Sequence, residues 1–292
     1  QMLNNHKLIY GFEREVIFLS TLYRFLNFFS LNEIRVLVYH HIEKEEFDLF
    51  YKQLILIKKN WNFITPDQFE DHIKGIHKLK GKNVLLTFDD GFYSNYIVCK
   101  KILEKLKIKA IFFIPSDFAK INLQSKAKKF IKKNILDQDL PKDFKNSKNM
   151  TFKNLKYLIK KGHKIGAHTK THINLGLTKN IKVLKDEIIN SKIDMERKLN
   201  VTIKHFAFTY GNYTSISKNS LKLALSRYEF IYSCLRGNNY RNQINQIIKR
   251  DAIYLKKGNK LLLIFLSGLV DIKYFFQILN INKLIKKLIK KF

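Results

Sequence analysis

The sequence predicts an α/β protein built on a parallel sheet, a distorted (β/α)7–8 barrel, with an open doubly wound sheet as the alternative. Three observations carry that expectation. Segments rich in β-branched and aromatic residues alternate along the chain with segments of helical period. The segment "NVLLTF" (83–88) is apolar without alternation, as a strand covered on both faces must be. The 292 residues are long enough for seven or eight such units around one large core.

The elements follow in order. "IRVLVYHHI" (34–42) is rich in β-branched residues and reads as a strand. Residues 47–60 carry apolar side chains at helical spacing, and 62–65 form a short strand. Thr65, Pro66 and Gln68 open the next helix as N-cap, first residue and capping-box partner. Strand 83–88 is followed by an amphipathic helix over 95–107 and a strand over 108–115. A helix over 151–162 starts at Thr151 and stops at Gly162. Then come a strand (163–169), a long helix (178–200), a strand (203–211), a helix (216–227) and two strands (228–235, 247–255). No repeat of 20–50 residues is visible.

Three regions stand outside this rhythm. Residues 1–33 form an N-terminal helical extension; their apolar stretch 16–29 is interrupted by Arg24 and is too short to span a bilayer. Residues 119–150 are a lysine-rich insertion, longer than an ordinary connection, either a lid or a solvated excursion. Residues 271–292 end in "KLIKKLIKKF", a basic amphipathic helix, and the apolar run 261–270 before it is too short to cross a membrane.

The formal charge is +31, from 55 Lys and Arg against 24 Asp and Glu. Such a field favours anionic partners, although a lysine-rich coding bias would produce the same excess. No helix-turn-helix, RNP or zinc-finger pattern accompanies it, so nucleic acid is not expected as a partner. Cys99 and Cys234 form no disulfide framework, which fits a reducing compartment. No stretch reads as a signal peptide. The expected location is the cytoplasm or the cytoplasmic membrane face.

Four strand ends carry the candidate chemistry. "TFDDG" places Asp89 and Asp90 after the apolar strand, with Gly91 free to turn sharply. Alone it is also an ordinary turn sequence. "GAHTKTH" places His168 and His172 four apart beyond another strand, a spacing that can bring two imidazoles onto one metal or can be coincidence. "FAFTYG" ends a third strand with Tyr210 and Gly211. "VYHH" ends the first with His40 and His41. In a parallel barrel these ends share one rim, where catalytic groups gather. His163 and His205 stand at or before strand starts and read as surface residues.

With these motifs the sequence resembles the polysaccharide deacetylases of carbohydrate esterase family 4, the NodB-homology group, over about residues 34–270. "LLTFDDGF" is similar to its first motif, "HTKTH" to its second and "FAFTYG" to its third. "LVYHHI" followed by "FITPDQF" resembles the branch with an N-terminal YH motif, whose members act on surface polysaccharide or poly-N-acetylglucosamine. The resemblance implies a NodB-homology barrel and a divalent metal, normally Zn2+, on Asp90, His168 and His172. It implies that metal-bound water attacks the acetamide of an N-acetylated glycan, with Asp89 as general base. Tyr210 and Gly211 would stabilise the oxyanion. Two positions depart from the pattern. Ala207 stands where the third motif has Arg, and Thr209 where it has Pro. Arg250 would then supply the guanidinium that orients Asp89. No His follows His205, so His40 would fill the role of the family's late catalytic histidine, and His41 would be peripheral.

Two other readings compete with a metal-dependent carbohydrate N-deacetylase acting on a surface polysaccharide or its lipid-linked precursor. One is a deacetylase-fold protein without activity. The other is a module that binds anionic membrane surfaces through its basic C-terminal helix, a role an active enzyme could also have.

Overall fold

The computed structural model describes residues 32–136, 148–243 and 245–290. Its strands are β1 Asn32–Tyr39, β2 Asn62–Phe63, β3 Gly81–Phe88, β4 Ala110–Ile114, β5 Lys164–Ala167, β6 His205–Ala207, β7 Phe230–Tyr232 and β8 Asp251–Ala252. They pair in parallel in the order β7-β6-β5-β4-β3-β1-β8, with β2 beside the first half of β3. Ile248 bridges to Tyr232 of β7, and three residues later Asp251 pairs with Leu37 of β1. One extended segment therefore touches both edges and closes the curled sheet into a distorted barrel.

Helices cover the outside. They are α1 Phe47–Lys58, α2 Pro66–Lys74, α3 Tyr93–Val98, α4 Ser116–Ala119, α5 Gln124–Phe130, α6 Phe152–Lys160, α7 Ile181–Lys185, α8 Lys218–Leu225, α9 Gly258–Leu266 and α10 Phe275–Ile289. Helix α3 runs on through a π-helical turn, Cys99–Leu103, and α7 runs on through Asp186–Asn190 to Ser191–Leu199. The capping box at α2 forms as its sequence demands: Gln68 N–H donates to Thr65 Oγ1 at 3.2 Å and Thr65 N–H to Gln68 Oε1 at 2.9 Å.

Strand alternation sorts the core into two layers. Val84, Leu86 and Phe88 of β3 pack outward with the helices. Leu85 of β3, with Ile34, Val36, Phe113, Ala207 and Tyr232 of its neighbours, fills the barrel interior. Helix α2 caps the N-terminal rim of the strands, where its Phe69 and Ile73 join that inner cluster.

Several expectations are corrected. His163 and His205 are buried, not surface residues. His163 Nδ1 accepts from Ala110 N–H at 3.1 Å while Nε2 lies 3.2 Å from Cys99 Sγ. His205 lies between Tyr232 Oη at 2.9 Å and Glu70 Oε1 at 3.0 Å. The inward alternation of β6 and the cap made by α2 enclose His205. Strands β6, β7 and β8 are shorter than the sequence suggests: their ladders run only over His205–Ala207, Phe230–Tyr232 and Asp251–Ala252. β1 begins at Asn32, and the rest of the N-terminal extension lies outside the described residues. The insertion is not merely a solvated excursion: its Ala127 and Ile131 pack with Phe92 and Phe118 in a small core, while residues 137–147 lie outside the described residues. The basic helix expected over 283–292 is the second half of α10, with Ile281, Ile285 and Leu288 buried. Residues 291–292 lie outside the described residues.

Candidate active site

The inward alternation sets the site. His40 continues the parity of Ile34 and Val36, Asp89 that of Leu85 and Thr87, His168 that of Gly166, and Arg250 that of Ile248. Register aligns these strand ends, since Tyr39 pairs with Phe88 and Asp89 N–H donates to Tyr39 O at 2.9 Å. The side chains thus converge at the C-terminal mouth of the barrel.

Asp89 and Arg250 form a fully buried bidentate pair. Arg250 Nη1 donates to Asp89 Oδ1 at 2.7 Å and Nη2 to Oδ2 at 2.8 Å. Its Nε donates to Ser233 O at 2.9 Å, and the guanidinium lies 5.0 Å from the Phe113 ring centre and 5.8 Å from that of Tyr232. Burial opposes the charge of Asp89, but Arg250 first, then His168, outweigh it and hold the carboxyl below its ordinary value.

Asp90 does not continue the strand. Its φ is +71°, a left-handed conformation uncommon outside glycine. That turn sends the second carboxylate toward the histidines: Oδ1 lies 3.2 Å from His172 Nε2 and 3.5 Å from His168 Nε2. Thr169, His172 and Tyr210 also have positive φ, so strained backbone clusters at this rim.

Each imidazole is oriented from behind. His168 Nδ1–H donates to Ala207 O at 2.8 Å, and His172 Nδ1–H donates to Asn134 O at 2.8 Å. A carbonyl only accepts, so Nδ1 carries the proton in both rings, and Nε2 of each faces Asp90. The three potential ligand atoms of Asp90, His168 and His172 lie within 4.8 Å of one another, and all three residues are buried. Two imidazole nitrogens with lone pairs and one carboxylate suit a divalent cation, and the donor set fits one. Without such a cation, protons compete for the same atoms. Burial disfavours charge on both groups, yet the two imidazoles hold Asp90 well below its ordinary range, and Asp90 raises His172.

The loop between the two histidines is pinned by Glu187, whose carboxylate accepts from Lys170 N–H and Thr171 N–H at 2.8 Å each and from the Thr171 hydroxyl at 2.6 Å. Thr169 Oγ1 accepts from His172 N–H at 2.9 Å. The motifs do not announce Glu187 or the Asn134 carbonyl. The one available signal for Glu187 is an acid set between Leu184 and Ile188, in the buried stripe of its helix.

Of the remaining candidates, His40 is half-buried, and its charge acts on both Asp89 and Asp90. The Tyr210 ring stands 5.4 Å from that of His172. Gly211 is packed against Cys234: a Cβ there would lie 2.6 Å from Cys234 N, and its φ is +60°. His41 is tied to Ser94 Oγ at 2.9 Å, away from the carboxylates.

Residues 77–228, more than half the chain, match the family described as polysaccharide deacetylase. The chain belongs to the polysaccharide deacetylase family. No curated protein sequence matches this deacetylase. Among solved structures it resembles IcaB from Ammonifex degensii, with a TM-score of 0.62 and 18% identity over 81% of this chain and 97% of that one. It also resembles the deacetylase PplD of Streptococcus pyogenes, with a TM-score of 0.62 and 21% identity over 80% and 97%. The de-N-acetylase from Aggregatibacter actinomycetemcomitans gives a TM-score of 0.59 and 16% identity over 80% and 100%. At these identities the likeness is one of fold. Ala207 of this deacetylase lies in the same inner cluster as Phe113 and Tyr232, the two rings beside which the Arg250 guanidinium sits.

Proposed function

We propose that this polysaccharide deacetylase removes acetyl groups from N-acetylated sugars of a surface polysaccharide or its lipid-linked precursor, using a divalent metal. The observation that carries the proposal is the division of labour between adjacent carboxylates. Asp89 is clamped by Arg250, while Asp90 faces two imidazoles whose Nε2 atoms are directed at it.

Asp90, His168 and His172 would hold the metal, and zinc is among the ions that two imidazoles and a carboxylate suit. When bound, it supplies Lewis acidity toward the acetamide carbonyl and toward water. Asp89 takes the proton from the attacking water as a C–O bond forms at the carbonyl carbon. Arg250 keeps Asp89 ionised and fixes both of its oxygens. Backbone N–H groups at Tyr210 and Gly211 stabilise the developing oxyanion. His40 hands a proton to the departing nitrogen as the C–N bond breaks, leaving acetate and a free amine.

The test is Asp89→Asn. The variant is expected to lose acetate release from N-acetylglucosamine oligomers by about a hundredfold or more, while its zinc content after dialysis stays at the wild-type level. Wild-type turnover by Asp89→Asn would remove Asp89 from the role of base. Loss of zinc along with activity would place it among the ligands instead.

A further inference from the structure

The exposed face of helix α10 has no role in the deacetylase site. Ile281, Ile285 and Leu288 on its other face are buried against the domain, so the helix is already anchored. Its outer stripe changes character along its length. In the turn before α10 and its first turns, Ile272, Phe275, Phe276 and Leu279 recur at i, i+3, i+4 and i+7, and all four are exposed, Ile272 at 82% and Phe276 at 74%. The same stripe continues as Lys283, Lys286, Lys287 and Lys290, all exposed. Soluble proteins seldom leave four large apolar side chains side by side in water without a partner.

The charge of the region points to what that partner is. Residues 254–290 hold eight lysines and one acid, Asp271. That acid is taken up internally, with Arg35 Nη1 donating to Asp271 Oδ2 at 2.5 Å. Lys256 reaches Glu46 at 3.9 Å, whereas the lysines of α10 have no acid on their own helix to offset them. Aromatic and aliphatic side chains at one end of a stripe, followed by lysines, match a bilayer whose headgroups are anionic, because rings enter the acyl boundary while ammonium groups stay with phosphate. No single described helix is long and apolar enough to cross a membrane. The α9–α10 region passes only as two pieces, Leu255–Leu266 and Leu269–Ile289, bent by 78°. The inner face of α10 is buried in the domain, so the helix can lie on a bilayer but not traverse one.

We infer that the apolar Ile272–Leu279 stretch and the lysine half of α10 form a docking surface for anionic phospholipid membranes. The inference does not rest on the deacetylase reading. It also differs from an anchor made by the last ten residues alone, whose apolar side chains Ile285 and Leu288 are already used in the core.

The test is sedimentation of the full chain with phosphatidylglycerol-containing vesicles and with pure phosphatidylcholine vesicles. Wild type is expected to bind the anionic vesicles and to release as salt rises. Phe275→Ser/Phe276→Ser is expected to bind about tenfold more weakly or worse, and Lys283→Glu/Lys287→Glu to lose the preference for anionic lipid. Both variants change exposed residues outside the site, so urea-unfolding midpoints unchanged from wild type verify their fold. Equal vesicle binding by wild type and both variants overturns the proposal. So does a concentration-dependent dimer that the Phe variant abolishes without any vesicle binding, which would assign the face to a second copy of the chain.

Discussion

Replacing Arg250 by Met tests the foundation of the site. The substitution keeps the approximate length of the side chain and its place between Phe113 and Tyr232, but removes every donor. Two hydrogen bonds to Asp89 and one to Ser233 O are lost, and Asp89, 1% exposed, is left as an unpaired buried carboxylate. Removing one partner of a buried pair costs about 3–5 kcal/mol. Against a total stability on the order of 5–15 kcal/mol, that is a large share, and it lowers the folded-to-unfolded ratio by roughly a hundredfold to several thousandfold. Urea unfolding at neutral pH measures it directly. Asp89→Leu alone strands the guanidinium instead, so the double variant should lose less than the sum of the two, with a coupling of about 2–3 kcal/mol. Arg250→Lys should fall between wild type and Met, since an ammonium cannot match both carboxylate oxygens. Additive losses, or a loss below about 1 kcal/mol for Arg250→Met, would mean that the pair does not organise the site, and the assignment of Arg250 as the positioning guanidinium would fall.

Two further predictions address groups behind the site. Burial, and next the charge of Lys109, push His163 down to about 4 from 6.5. The unfolded chain then binds the proton first, so its contribution to stability is complete above pH 6.5 and is lost as pH falls toward 4. At roughly 1.4 kcal/mol per pH unit this amounts to about 3 kcal/mol. His163→Asn, which keeps an acceptor for Ala110 N–H, should flatten the stability–pH curve in that window, and an unchanged slope would contradict the burial argument. Glu187→Ala should leave the fold intact but free the loop between the histidines, weakening zinc affinity about 10–100-fold by calorimetric titration; wild-type affinity would show that the loop holds its shape without the carboxylate.

Much of the site was legible because its determinants are local. "TFDDG" after an apolar run and "HTKTH" at the end of the next but one strand depend on strand parity and on a shared rim, both of which follow from a parallel barrel. Capping at Thr65 and Thr151 depends on three or four adjacent residues. Other parts were illegible because their partners are distant in sequence. Arg250 and Asp89 are 161 residues apart, so their pairing could be expected only through the family resemblance and not from any local pattern. The burial of His205 required knowing that Glu70 on α2 would close the opposite rim. The contact of Asn134 O with His172 required knowing that the insertion folds back across the mouth, a matter of its small core around Ile131 and Phe118. Strand lengths failed for a related reason: apolar and aromatic residues continue past Ala207 as Phe208 and Tyr210 and past Tyr232 as Leu235, so composition overshoots the point where the β6–β7 ladder ends.

The paired acids show how a local string acquires two functions. In a regular strand, residues 89 and 90 would point to opposite faces, placing one carboxylate inside the barrel and the other among the helices. The left-handed φ of Asp90 cancels that alternation, so both acids reach the same mouth. Two like charges there need separate partners, and the fold provides them from opposite directions. A guanidinium rises from the closing segment to Asp89, and two imidazoles held by backbone carbonyls face Asp90. The doublet is therefore stable only in a barrel whose last extended segment returns to β1, because that segment carries Arg250. Closure of the sheet and the clamping of Asp89 by Arg250 are the same structural event. The guanidinium that meets Asp89 thus enters from the closing segment, 43 residues beyond Ala207, and not from β6.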